Sequence, residues 1–102
     1  METNEIEQDG KLILQVSGEI DGINVDDFEN VLNSAVGKTD SLTLDLKELE
    51  YVSSAALRVF LTTQKKLKQR GDEMVLINVN EEVMDIFTVT GFVKLLNIKS
   101  GE

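Results

Sequence analysis

Two adjacent hydroxyls, Ser53 and Ser54, lie in the stretch Tyr51-Val52-Ser53-Ser54-Ala55-Ala56-Leu57-Arg58 and are the side chains best placed for chemistry. That chemistry is acceptance of a phosphoryl group. The residue inventory removes most alternatives. The sequence has no histidine and no cysteine, so a Ser-His-Asp triad, an imidazole base, a His-containing metal site, a thiolate nucleophile and disulfides are all absent. No Gly-rich phosphate loop of the P-loop or dinucleotide type occurs. Carboxylates and lysines alone make an enzyme unexpected, and no cofactor is called for.

The flanking pattern says how the serines are held. Before them, Leu42-Thr43-Leu44-Asp45-Leu46 alternates as a half-buried strand does. After them, Leu57, Phe60, Leu61, Gln64 and Leu67 recur near a 3.6-residue period, and Gly71 marks the end of that helix. Ser53 is then the N-cap, its hydroxyl accepting an amide proton from Ala55 or Ala56. Val52 and Leu57 stand in the staple positions. Ser54 takes the first helical position, where a side chain faces water at the positive end of the helix.

Two further residues belong to the candidate site. If the strands at 12–17 and 42–46 are parallel neighbours, their C-terminal ends share one sheet edge. The loop carrying Asp21 then meets Ser53-Ser54 there. Arg58, one turn into the helix, can reach a partner or a phosphate. Taken singly, each has an ordinary explanation: Asp21 as a turn carboxylate, Ser53 as a cap, Ser54 as a tolerated small residue, Arg58 as a solvated cation. A different reading makes Asp45 a receiver-type phosphoacceptor. That chemistry needs an acidic pair to hold Mg²⁺, and only Asp21 occupies the corresponding loop.

Taken in order, residues 4–9 offer only Ile6 as an apolar anchor, a weak edge strand at best. Asp9-Gly10 is a hairpin dipeptide. Leu12, Leu14 and Val16 alternate in a strand that should close at Gly18. Phe28, Val31, Leu32, Ala35 and Val36 trace a helical stripe, with Asn24 as cap, Ile23 stapled onto Phe28 and Gly37 as stop. Val75, Ile77 and Val79 predict another strand. A third helix follows, capped by Asn80 with Val79 and Met84 as its staple and Gly91 past its end. Phe92 to Ile98 is an apolar tail, a short helix or edge strand covering the sheet.

This order implies one α/β domain over 1–102, a mixed four- to five-stranded sheet with right-handed crossovers. The strand at 42–46 keeps a polar face (Thr43, Asp45), so the helices should lie mainly on one side. A chain of 102 residues supports one core burying roughly two-thirds of the unfolded surface. Ten basic residues against nineteen acidic ones leave a formal charge of −9. Such a surface repels phosphate backbones and anionic lipid, which argues against direct nucleic-acid or membrane-surface binding. Apolar runs stay far below the ~20 residues of a membrane span, and no charged-then-apolar leader opens the chain, so the expected location is cytoplasmic.

The sequence resembles the STAS family and, within it, the stand-alone bacterial anti-sigma-factor antagonists. The likeness rests on Gly18-Glu19-Ile20-Asp21, on Leu44-Asp45-Leu46 leading to Tyr51-Val52-Ser53-Ser54-Ala55-Ala56-Leu57-Arg58, on Gly71-Asp72-Glu73-Met74-Val75-Leu76, and on Thr90-Gly91-Phe92. The common family motif is Asp-Ser-Ser-Gly-Leu, with the second serine modified. Anchored on Leu57, it puts Ser53 at the aspartate, Ser54 at the first serine, Ala55 at the phosphoserine and Ala56 at the glycine. A frequent variant, Ser-Ser-Ala-Gly-Leu-Arg, is matched except at Ala56. The resemblance implies a partner switch without enzymatic activity of its own. The unmodified protein binds an anti-sigma factor that is also a serine kinase, phosphorylation releases it, and a serine phosphatase resets it. It assigns the phosphoacceptor to Ser54, with Ser53 second, and the partner face to Asp21, Ser53, Ser54, Ala55 and Arg58. An alternative within the same fold is an accessory subunit docked on a lipid-trafficking membrane transporter, without the switch.

Overall fold

The computed structural model describes residues 1–99. A hairpin opens the chain: β1 (Glu2–Gln8) pairs antiparallel with β2 (Lys11–Ile20). Asp9 and Gly10 both have positive φ, 54° and 80°, as the two-residue turn requires. Then follow α1 (Val25–Val36), β3 (Ser41–Asp45), β4 (Leu49–Val52), α2 (Ser54–Gln69), β5 (Glu73–Ile77) and α3 (Glu81–Thr90). The sheet order is β1-β2-β3-β5, and β4 pairs with β2 off that path. All pairs but β1–β2 are parallel. The five-stranded mixed sheet therefore fits the expectation.

One face of the sheet is sealed and the other open. Leu12, Leu14, Val16, Leu42, Leu44, Met74 and Leu76 are buried against Phe28, Leu32 and Ala35 of α1, Phe60 and Leu67 of α2, and Val83 and Phe87 of α3. The three buried phenyl rings form a spine. Phe28 and Phe60 meet edge-to-face at 5.3 Å, and Phe60 meets Phe87 likewise at 6.1 Å, so Phe60 ties all three helices together. On the opposite face Ile13, Thr43, Asp45 and Ile77 stay partly exposed.

Helix ends follow local chemistry in two cases of three. Ser53 Oγ accepts the Ala56 amide at 3.2 Å, and Asn80 Oδ1 accepts that of Val83 at 3.0 Å. The helix α2 closes in a Schellman motif, with Asp72 N bonded to Leu67 O, Gly71 N bonded to Lys68 O and Gly71 at φ +82°. At α1 the expected device is replaced. The Asn24 side chain makes no cap bond to α1, and Ile23 is 93% exposed rather than stapled onto Phe28. The stop at Gly37 is right-handed, not the left-handed glycine cap.

Strand boundaries also differ from the sequence reading. Strand β1 runs seven residues although all are exposed, because backbone pairing with β2 holds it without a core-facing side chain. Strand β2 does not close at Gly18. It shifts register there and continues to Ile20, since β4 arrives as a partner. The tail resolves into both expected forms: a 3-10 helix over Phe92–Lys94, then Ile98 bridging to Leu76 beside the sheet.

Candidate functional site

Strand β4 assembles the site. Pairing of β2 with β3 ends at Gln15 and Asp45, and β4 takes over from Gly18 opposite Leu49 to Ile20 opposite Val52. The ladder finishes with Ser53 N donating to Ile20 O at 2.9 Å. Asp21 is therefore one residue beyond an atom bonded to the cap of α2. The Asp21 loop and the Ser53-Ser54 segment thus share one sheet edge, and the link is β4, for which the sequence analysis predicts no strand.

The Asp21 loop is closed by its own hydrogen bonds. Asp21 Oδ1 accepts the amides of Ile23 at 2.9 Å and Asn24 at 3.1 Å. Asn24 Oδ1 accepts the Asp21 amide at 3.0 Å, while Asn24 Nδ2 donates to Glu19 O at 2.9 Å. This reciprocal pair has the pattern of a capping box, moved upstream by one turn. Capping duty passes from Asn24 to Asp21, which turns Ile23 outward. Asp21 thus has the turn role that its residue type allows, at the edge of the serine site.

Ser53 and Ser54 occupy different environments one residue apart. Ser53 is half-buried with its hydroxyl committed to Ala56. Ser54 is exposed, opens α2, and makes no side-chain hydrogen bond among the described residues. The first intrahelical bond joins Leu57 N to Ser53 O at 3.0 Å, so the amides of Ser54 and Ala55 point out of the positive helix end. Ala55 is half-buried, and Arg58 is exposed on the next turn. Among the described residues the two ion pairs, Lys38–Glu5 and Arg70–Asp72, involve neither Arg58 nor Asp21.

The surrounding surface is acidic. Glu19 and Asp21 flank the end of β2, Asp26 and Asp27 open α1, Glu48 and Glu50 bracket the start of β4, and Glu81 and Glu82 open α3. The nearby cations in the chain are Lys47, beside Glu48, and Arg58, one turn into α2. Asp45, at the end of β3, is tied into the turn: its Oδ1 accepts Lys47 N at 3.2 Å and Asn78 Nδ2 at 3.1 Å. Beneath the site Asn80 locks that turn to α3, donating to the carbonyls of Leu46, Lys47 and Leu49 at 3.3, 3.2 and 2.6 Å.

The STAS domain family profile matches residues 2–102. The chain belongs to that family. Its relatives include a Bordetella bronchiseptica protein provisionally designated anti-sigma factor antagonist BtrV, 35% identical over 94 residues that span 91% of this chain and 81% of that one. The anti-sigma F factor antagonist of Paenibacillus polymyxa is 30% identical over 95 residues, covering 91% of this chain and 81% of its own. In fold, the STAS chain superimposes on the crystal structure of an anti-sigma factor antagonist from Mycobacterium paratuberculosis with a TM-score of 0.84 at 23% identity. That match covers 95% of this chain and 83% of the other. Among the described residues, no helix of this STAS domain is long and apolar enough to cross a membrane.

Sequence reasoning missed two features here. Strand β4 has the burial order buried-exposed-exposed-buried, so it carries no alternation signal. Ile23 was assigned to a staple because Asn24 looked like the cap. The competing Asp-x-x-Asn spacing of Asp21 and Asn24 was the signal that would have freed it.

Proposed function

We propose that this STAS domain is an anti-sigma-factor antagonist switched by phosphorylation at Ser54. The unmodified protein binds an anti-sigma factor that also acts as its serine kinase. Transfer of phosphate to Ser54 breaks that complex, and a serine phosphatase restores it. The observation that carries this reading is the single exposed, uncommitted hydroxyl at the start of α2, in a chain whose relatives are named antagonists. Ser53 is the weaker acceptor because its Oγ already holds the helix cap.

The energetics suit a switch. A phosphate adds about −1.5 to −2 charges. At a helix N-terminus it gains ~0.3–1 kcal/mol, so the fold survives modification. Against a partner carboxylate at ~4 Å, each unit-charge pair costs about 1–4 kcal/mol between water-like and near-surface dielectrics. A loss of ~3 kcal/mol is already a hundredfold in affinity. Partner affinity therefore changes far more than stability does.

The test uses the anti-sigma factors of the same cell, each purified and incubated singly with this protein and ATP. Mass spectrometry maps the phosphate, and titration calorimetry compares the modified and unmodified proteins. Expected are phosphate on Ser54, none on a Ser54→Ala variant, and at least a hundredfold weaker binding after modification. Phosphate on neither Ser53 nor Ser54 defeats the switch, and absence of binding by every anti-sigma factor defeats the function.

A further inference from the structure

The most exposed large apolar side chain in the described structure is Ile23, at 93%. Water-facing isoleucines are ordinary singly, but this one is held out by construction. Its own amide is pinned by Asp21 Oδ1 at 2.9 Å, and the reciprocal Asp21–Asn24 bonds fix the turn on either side. The backbone beneath the side chain is therefore already ordered before a partner arrives, and only the side chain's own rotamer freedom is lost when it is covered. It stands three residues from Ile20, whose carbonyl is bonded to Ser53 N, so no more than about 10 Å of chain separates it from the phosphoacceptor segment. Tyr51, 45% exposed and paired with Glu19 across the β2–β4 ladder, adds a second apolar surface on the same edge. Exposed carboxylates sit on the same segments: Glu19 on β2, Glu50 on β4, and Asp26 and Asp27 in the first turn of α1.

We infer that Ile23 is the apolar anchor of the docking surface, and that its occupant is an anti-sigma factor offering a small apolar pocket rimmed by lysine and arginine. This rests on the functional reading above and adds the chemistry of the partner. An exposed apolar side chain on segments that also carry exposed charges has the makings of a binding hot spot, an apolar contact within a polar rim. The acidic rim selects a cationic one and accelerates encounter. It also fixes how the switch acts. Extra negative charge on Ser54 adds to the long-range attraction to such a partner, so the release proposed above requires a partner carboxylate facing Ser54 inside that basic rim, and it acts at short range, through faster dissociation.

The experiment takes the anti-sigma factor that binds the wild-type chain and measures association and dissociation by surface plasmon resonance. Ile23→Ala is expected to raise Kd tenfold to a hundredfold, the value of a buried Ile side chain. Its melting temperature should not move, because the side chain touches no core. Val89→Ala is the control. Val89 is 86% exposed in the last turn of α3, at the end opposite the Asn80 cap that bonds Leu49 O, and its loss should leave Kd within twofold. Raising NaCl from about 50 to about 500 mM should slow association about tenfold through screening. An unchanged Kd for Ile23→Ala, or association indifferent to salt, overturns the inference while leaving the antagonist reading in place. Sedimentation of the free wild-type protein as a dimer that Ile23→Ala converts to monomer also overturns it, by giving Ile23 a second copy as occupant. If wild type binds no anti-sigma factor, both readings fall together.

Discussion

Replacing each serine of the pair by alanine removes the same atom from adjacent positions, so the two variants separate the capping role from the signalling role. In Ser53→Ala the Ala56 amide loses its acceptor at 3.2 Å, and Ala56 itself is fully buried. Loss of a serine N-cap costs about 1 kcal/mol, with a range of ~0.5–2. For a domain near 100 residues each kcal/mol moves the melting temperature by about 4–8 °C. Ser53→Ala should therefore melt about 4–8 °C below wild type. Ser54→Ala breaks no hydrogen bond, and alanine is the better helix former by a few tenths of a kcal/mol. Its melting temperature should stay level or rise by about 1–2 °C. Ser53→Asn, which retains the capping acceptor, should recover most of the loss. Far-ultraviolet circular dichroism on all four proteins at one concentration reads these shifts. Phosphate incorporation should follow the opposite pattern, lost in Ser54→Ala and kept in Ser53→Ala. A Ser54→Ala variant as destabilised as Ser53→Ala, or one that still takes phosphate at a normal rate, would refute the division of labour.

Two other substitutions test what supports the site. Asn80→Ala removes the donor to three carbonyls of the 46–49 turn and the cap of α3 together. It should cost about 2–4 kcal/mol by urea denaturation, more than a cap alone, because the part-buried bond to Leu49 O at 2.6 Å is lost along with the cap. A loss below ~1 kcal/mol would mean that the turn does not depend on Asn80. Phe60→Ala takes the middle ring from the spine, with both edge-to-face partners and full burial lost. The expected cost is ~3–5 kcal/mol, a large share of the ~5–15 kcal/mol available to a domain. Phe60→Leu should recover more than half of it by refilling the volume, and equal losses for the two variants would mean that the ring-to-ring contacts, not apolar burial, carry the contribution.

Much of the site was legible because its signals are local. A hydroxyl before a helical stripe, an apolar pair at the staple positions and a glycine at the close are satisfied within one or two turns, so Ser53, Ser54 and the ends of α2 and α3 could be read directly. The alternation in β2, β3 and β5 likewise reports one buried face per strand. What the sequence determined by itself is thus the set of elements and the outward hydroxyl at the head of α2.

Tertiary structure decided the rest. Strand β4 exists because β2 shifts register at Gly18 and offers free backbone groups to residues 49–52, a pairing between segments some thirty residues apart in the chain. That pairing brings Asp21 to Ser53. The choice between Asp21 and Asn24 as cap, and with it the exposure of Ile23, follows from the Glu19 carbonyl that Asn24 reaches across the turn. Local propensity allowed either cap. Only the folded chain, with Ile20 already fastened to Ser53, supplies the contacts that settle which one forms.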